Sequence, residues 1–190
     1  HMNGAELLAS ELRARKVNHI ATLCGHGLDP IDGACHKAGI RLVDTRNEQA
    51  ASYLAEMYGR LSKKVGICAV SSGVAHVNAL SGVVNAHFDG SPMLLISGCG
   101  STETIGLGHF QDMDQIALAS PICKYARLVD RAERIPQMLH EAFSTALAPR
   151  PGPVHLTIPL NVLAAEVDPS RVVRVPGLAS ESAIPGSVAP

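Results

Sequence analysis

Six short runs of aliphatic and β-branched residues recur along this chain: HIATLC ending at Cys24, IRLVDT at Thr45, VGICAVS at Ser71, PMLLISG at Gly98, YARLV at Val129 and VHLTIP at Pro159. Each is apolar almost throughout instead of alternating with polar residues, the pattern of strands buried on both faces. Segments of helical spacing separate most of them. In the last, Ile135, Met138, Leu139, Ala142, Phe143 and Ala146 share one face, Asp130 and Glu133 are spaced as a capping pair, and Pro149 stands beyond the end. Strands and helices in this series require right-handed crossovers, so the expected fold is α/β, a mostly parallel six-stranded sheet with helices on both faces. Ligands of such sheets gather beyond the carboxyl ends of the strands, so residues 25–27, 46–48, 71–73 and 98–100 are expected to share one rim.

At 190 residues the chain is long enough for one sizeable core, expected over residues 1–165. From Glu166 onward, EVDPSRVVRVPGLASESAIPGSVAP is rich in proline and small residues and reads as a linker, 166–190, toward an absent domain. Lys and Arg total 16 against 17 Asp and Glu, leaving no basic surplus for a nucleic acid. No apolar run approaches the roughly 20 residues of a membrane span. The start, HMNGAELL, lacks the basic and apolar regions of a signal peptide, and its His-Met reads as a cloning remnant. Five cysteines, odd in number and without a C-x-x-C pair, read as reduced thiols and favour the cytoplasm. The nine histidines form neither H-x-H nor H-x-x-x-H, so no metal-ligating residues are assigned.

Between a strand and a helix, Thr45-Arg46-Asn47-Glu48 fits a capping box with Thr45 as the N-cap, yet Glu48 also stands where a rim carboxylate could hydrogen-bond a ligand. Both readings stay open on these residues alone. Ser71-Ser72-Gly73 opens a helix and could present amides to an anion, although neither G-x-G-x-x-G nor G-x-x-x-x-G-K-[ST] is present. The helix VAHVNALSGVVNAHF is apolar around most of its circumference, which suits either the interior or a second subunit. In the glycine-punctuated stretch TETIGLGHFQDMD, His109 and Gln111 are the candidate ligand-facing side chains. No Ser, His and acid set suggests a hydrolytic triad.

Four segments in order, DTRNEQAASYLAEMYGRLSKKVGICAVSSG, NAHFDGSPMLLISG, GHFQDMDQIALASPICKYA and RPGPVHLTIPLNV, make the chain from about Ala5 to Val167 resemble the N-terminal, pyrimidine-binding domain of thiamine-diphosphate-dependent enzymes, most like the acetolactate synthase large subunit. The resemblance implies that Glu48 is the catalytic glutamate that hydrogen-bonds the pyrimidine ring nitrogen and so promotes deprotonation of the thiazolium carbon. It places His26, Gly27, Ser71, Gly73 and Asn78 in the cofactor pocket and Gln111 facing the substrate. Thr102 and Glu103 replace the adjacent histidine pair of pyruvate-decarboxylase-type enzymes, and Val74-Ala75 replace a Pro-Gly pair.

The G-D-G-containing motif that holds magnesium and the diphosphate in this family has no match here. What is implied is the pyrimidine-binding half of a longer enzyme, inactive alone, which makes or breaks a carbon-carbon bond next to a carbonyl. Its substrate would be a 2-keto acid or of acyl-CoA type, a flavin in the parent is allowed, and a homodimer would form through helix 74–88. An oxalyl-CoA or 2-hydroxyacyl-CoA lyase is the alternative within the family. Outside it stands a non-catalytic α/β interaction or regulatory module.

Overall fold

A computed structural model describes residues 1–175. The elements run α1 (Gly4–Ala14), β1 (His19–Leu23), α2 (Asp29–Lys37), β2 (Arg41–Asp44), α3 (Glu48–Ser62), β3 (Gly66–Val70), α4 (Val74–Asp89), β4 (Met93–Cys99), α5 (Gln115–Ala119), β5 (Tyr125–Leu128), α6 (Ile135–Leu147), β6 (Pro153–Pro159) and α7 (Leu160–Ala164). All six apolar runs are strands of one sheet, ordered β2-β1-β3-β4-β6-β5, and every pair is parallel. The expected α/β architecture is the one observed.

Alternation along the strands sorts side chains onto two faces. Ile67, Ala69, Leu94, Ile96 and Leu156 point to one face, where Leu8, Leu12, Ile31, Leu139 and Leu163 of α1, α2, α6 and α7 cover them. Cys68, Val70, Met93 and Leu95 point to the other, under Ala51, Ala55, Ala75, Ala79, Val83 and Ala86 of α3 and α4. The second interface is built from small side chains, which lets these two helices approach each other and the sheet closely. A Cβ on Gly82 would lie 2.3 Å from Ser52 Oγ, the atom that instead accepts the Gly82 N–H at 3.1 Å. The interior strands are buried as their continuous apolar runs require, but β2 is half-buried or exposed along its length because it stands at a sheet edge with one strand neighbour.

Two helix starts differ from the sequence expectation. Asn47, not Thr45, caps α3, its side chain accepting the Gln49 N–H at 2.8 Å, while the Thr45 hydroxyl donates to the carbonyls of Thr22 and Asn47. Glu48 is therefore the first helical residue and does not reach back to close a capping box, which frees its carboxylate for other partners. Asp130 and Glu133 likewise do not cap α6. A short 3₁₀ turn, Ala132–Arg134, leads into that helix, Pro136 supplies its preset first turn, and Asp130 accepts from the Arg134 guanidinium at 3.1 Å. The apolar face of α6 is as read: Ile135, Met138, Leu139, Ala142 and Ala146 are buried and Phe143 is half-buried.

Residues 165–174 are held against the domain. Gly4 N–H donates to the Ala165 carbonyl, Val167 N–H to that of Met2 and Val173 N–H to that of Glu133, and Arg174 pairs with the buried Glu11 at 2.6 Å. Residues 176–190 of the expected linker lie outside the described residues. All five cysteines are free thiols, and burial pushes Cys35, Cys99 and Cys123 up to about 12, so these sulfurs pack as apolar groups and not as nucleophiles. Among the described residues no helix is long and apolar enough to cross a membrane.

Candidate functional site

Three strand ends are drawn together by contacts too close for side chains. A Cβ on Gly98, at the end of β4, would stand 2.4 Å from the Gly27 carbonyl oxygen, and Gly27 itself turns through a left-handed φ of 80°. The Ser71 hydroxyl, just past β3, donates to the His26 carbonyl at 2.7 Å. The loop following β1 is thereby fastened across the ends of β3 and β4. His26 is exposed, its ring edge-on to Phe110 with centroids 5.6 Å apart.

The segment after β4 returns to the same rim. The Ser72 hydroxyl donates to Gln111 Oε1 at 2.9 Å, and a Cβ on Gly73 would lie 2.7 Å from the Gln111 Cβ. Gly73 has φ 62° and Gln111, without a glycine's freedom, has φ 57°. A non-glycine residue in that region costs on the order of 1 kcal/mol, and here the packing of two loops holds it. His109 is exposed and its side chain makes no hydrogen bond among the described residues, so of the two loop candidates only Gln111 is tied into the rim.

Glu48 and Asn78 form the other part of the site. The half-buried Glu48 carboxylate accepts from Asn78 Nδ2 at 2.9 Å, bridging α3 to α4, and its second oxygen makes no hydrogen bond among the described residues. Burial raises the Cys68 thiol on β3, and the nearby Glu48 charge raises it further. Since Gly73 is the N-cap of α4 and Asn78 follows little more than a turn later, one helix joins the Ser71–Gly73 turn to the Glu48 carboxylate. The arrangement offers one unpartnered carboxylate oxygen near Cys68, which packs with the alanines of α3 and α4, and a rim of amide, hydroxyl and backbone groups.

Beneath the rim lies a buried polar set that sequence reading did not single out: His76, Ser97, Gln115, His155 and Thr157, each no more than 3% exposed. The signal was present in polar residues that interrupt apolar runs, His155 and Thr157 in VHLTIP and His76 in the apolar helix, but pattern alone does not bring them together. His76 Nδ1 lies 2.8 Å from Ser97 Oγ, its Nε2 has no hydrogen-bond partner among the described residues, and its ring tilts over that of His155 at 4.8 Å. Burial holds His76 down at about 4 and His155 well below its ordinary value, the second helped by its neighbour.

Both imidazoles are neutral in the folded chain at pH values where the unfolded chain protonates them. Stability is then complete above the unfolded value of 6.5 and is lost as pH falls toward 4, His76 alone contributing on the order of 3 kcal/mol. Asp32 opposes this: burial raises it to about 6, so its contribution grows as pH falls from there toward 3.8. With two imidazoles against one carboxyl, the urea midpoint is expected to be lower at pH 5 than at pH 7, and the drop is expected to shrink in His76→Gln. A wild-type midpoint that does not fall would contradict the neutral, buried placement of the pair.

Comparison with known proteins adds an independent finding. The family described as thiamine pyrophosphate enzyme, N-terminal TPP binding domain, matches residues 2–118. A 2-hydroxyacyl-CoA lyase 2 from Caenorhabditis elegans is 41% identical over 161 residues, covering 85% of this chain and 25% of that protein. The human protein of the same name is 40% identical over 161 residues, 85% of this chain and 26% of its own length. A probable acetolactate synthase large subunit from Methanococcus aeolicus is 39% identical over 167 residues, covering 88% of this chain and 28% of that protein. The chain thus spans about a quarter of the length of the curated relatives it matches.

Proposed function

The chain belongs to the N-terminal TPP binding domains of thiamine pyrophosphate enzymes, and from that premise we propose that it holds the pyrimidine ring of the cofactor, with Glu48 as the activating acid-base group. The observation that carries this is the Glu48–Asn78 contact: a half-buried carboxylate with one oxygen fixed at 2.9 Å by an amide and the other without a partner among the described residues. Those residues fit the ring. An aromatic nitrogen needs one hydrogen-bonding oxygen and a flat apolar surface, and Glu48 stands beside Cys68, which packs with Ala21, Ala51, Ala75 and Ala79.

Bound there, thiamine pyrophosphate supplies a carbon nucleophile for making or breaking a carbon-carbon bond next to a carbonyl. Glu48 gives and takes a proton at its unpartnered oxygen, and Asn78 keeps that carboxylate in one orientation. His26, Gly27, Ser71 and Gly73 form the pocket wall, and Gln111 presents its amide to the substrate from a backbone held in place by Gly73. Magnesium and the diphosphate would be held mainly by a further domain of the parent enzyme. Val74, Val77 and Phe88, apolar yet 42% exposed or more, form the face of α4 through which a homodimer is built.

Relatives of both names support two substrate readings, a 2-keto acid as for an acetolactate synthase and a 2-hydroxyacyl-CoA as for a lyase. The test is to give the full-length protein thiamine pyrophosphate and magnesium, then to assay acetolactate formation from pyruvate beside cleavage of a 2-hydroxyacyl-CoA. Cofactor-dependent turnover of one is expected. A protein that neither binds thiamine pyrophosphate nor turns over either compound would leave a non-catalytic α/β module as the better reading.

A further inference from the structure

Gln115 has a side chain that is almost wholly buried, and its amide touches three different strand ends. Gly73 N–H reaches its Oε1 at 2.9 Å, and its Nε2 reaches the Gly98 carbonyl and Thr157 Oγ1, each at 3.2 Å. The orientation of the amide is forced, because a backbone N–H can only donate and a backbone carbonyl can only accept. Thr157, accepting from Gln115, turns its own hydroxyl proton to His155 Nε2 at 2.7 Å. His155 must then carry its single proton on Nδ1, where it donates to the Leu95 carbonyl at 3.0 Å. Every proton along the line from Gly73 to Leu95 is assigned, with no donor facing a donor.

That line ends at the one turn on which both parts of the site depend. Gly73 is the N-cap of α4, has φ 62° and no side chain of its own to cap the helix, and its N–H is held by Gln115. Its Cα backs onto Gln111, and the helix it starts carries Asn78 to Glu48. We propose that Gln115 is a positioning residue for the site, fixing through Gly73 both the Gln111 amide and the Asn78–Glu48 pair. The role given to it rests on the reading of that site as a cofactor pocket. Its physical content is that loss of the Gln115 amide loosens the turn while leaving the sheet intact.

Two variants test this: Gln115→Met, which keeps the volume and removes all three bonds, and Gln115→Asn, which keeps the amide but is one carbon too short to reach Gly73. Hydrogen exchange, read residue by residue in the chain without cofactor, is expected to speed up about tenfold or more at the Gly73 amide in both variants, with Ile67 and Leu95 unchanged. In the full-length enzyme, Gln115→Met and Gln111→Ala are each expected to lower kcat/KM about tenfold, and the double variant by clearly less than the product of the two, because part of the Gln115 effect passes through Gln111. Unchanged exchange at Gly73, equal acceleration throughout the sheet, or multiplying losses in the double variant would overturn the proposal. Selective acceleration at Gly73 in the variants, found together with a full-length wild type that does not bind thiamine pyrophosphate, would overturn the reading of the site, and with it the role of Gln115 there.

Discussion

Replacing Gly66 by Ala is expected to destabilise the fold severely. Gly66 opens β3, which lies between β1 and β4 in the sheet, and a Cβ there would stand 1.9 Å from the Ala55 carbonyl oxygen and 2.7 Å from its carbon. Both obstacles are backbone atoms of α3, so no rotamer change relieves them and the helix must lift from the sheet. That costs about 4 kcal/mol or more, against a total stability of about 5–15 kcal/mol for a domain of this kind. Gly33 is the control. It is helical, and nothing lies within 4 Å of the point where a methyl group would stand, so as Ala it should gain a few tenths to about 1 kcal/mol. Urea unfolding followed by circular dichroism compares the two, and a Gly66→Ala variant within about 1 kcal/mol of wild type would mean that α3 does not pack on β3 as described.

The fold was legible because each buried strand writes an unbroken apolar run, and six such runs separated by helical spacing leave few arrangements open. Helix boundaries were less so. Thr45 and Asn47 are both good caps two residues apart, and tertiary contacts decided: the Thr45 hydroxyl is taken by the Thr22 carbonyl of β1, leaving Asn47 to the helix. A rim of strand-end residues could be drawn from the sheet rule, since Gly27, Glu48, Ser71 and Gly98 each follow or end a strand in sequence, whereas Gln111 was reached only through the glycine-punctuated loop beyond β4. What could not be drawn was the buried line through Gln115, Thr157 and His155. Its members come from α5 and β6, and only the crossover that seats β6 beside β4 brings them together.

Glu48→Gln carries the other large effect. Glutamine keeps the length of the side chain and an oxygen for Asn78, so the bridge between α3 and α4 can persist and stability should change little. What it removes is the ability to exchange a proton at the oxygen that Asn78 does not hold, and a positioned acid-base group of this kind contributes on the order of a hundredfold or more to rate. Binding of thiamine pyrophosphate and its activation are therefore expected to separate, the first weakened modestly and the second severely.

Exchange of the thiazolium C2 proton into deuterated water reads that activation without any substrate. In the full-length protein with thiamine pyrophosphate and magnesium, wild type is expected to exchange at least about a hundredfold faster than Glu48→Gln. Equal rates in the two proteins, with the cofactor bound in both, would contradict the role of Glu48.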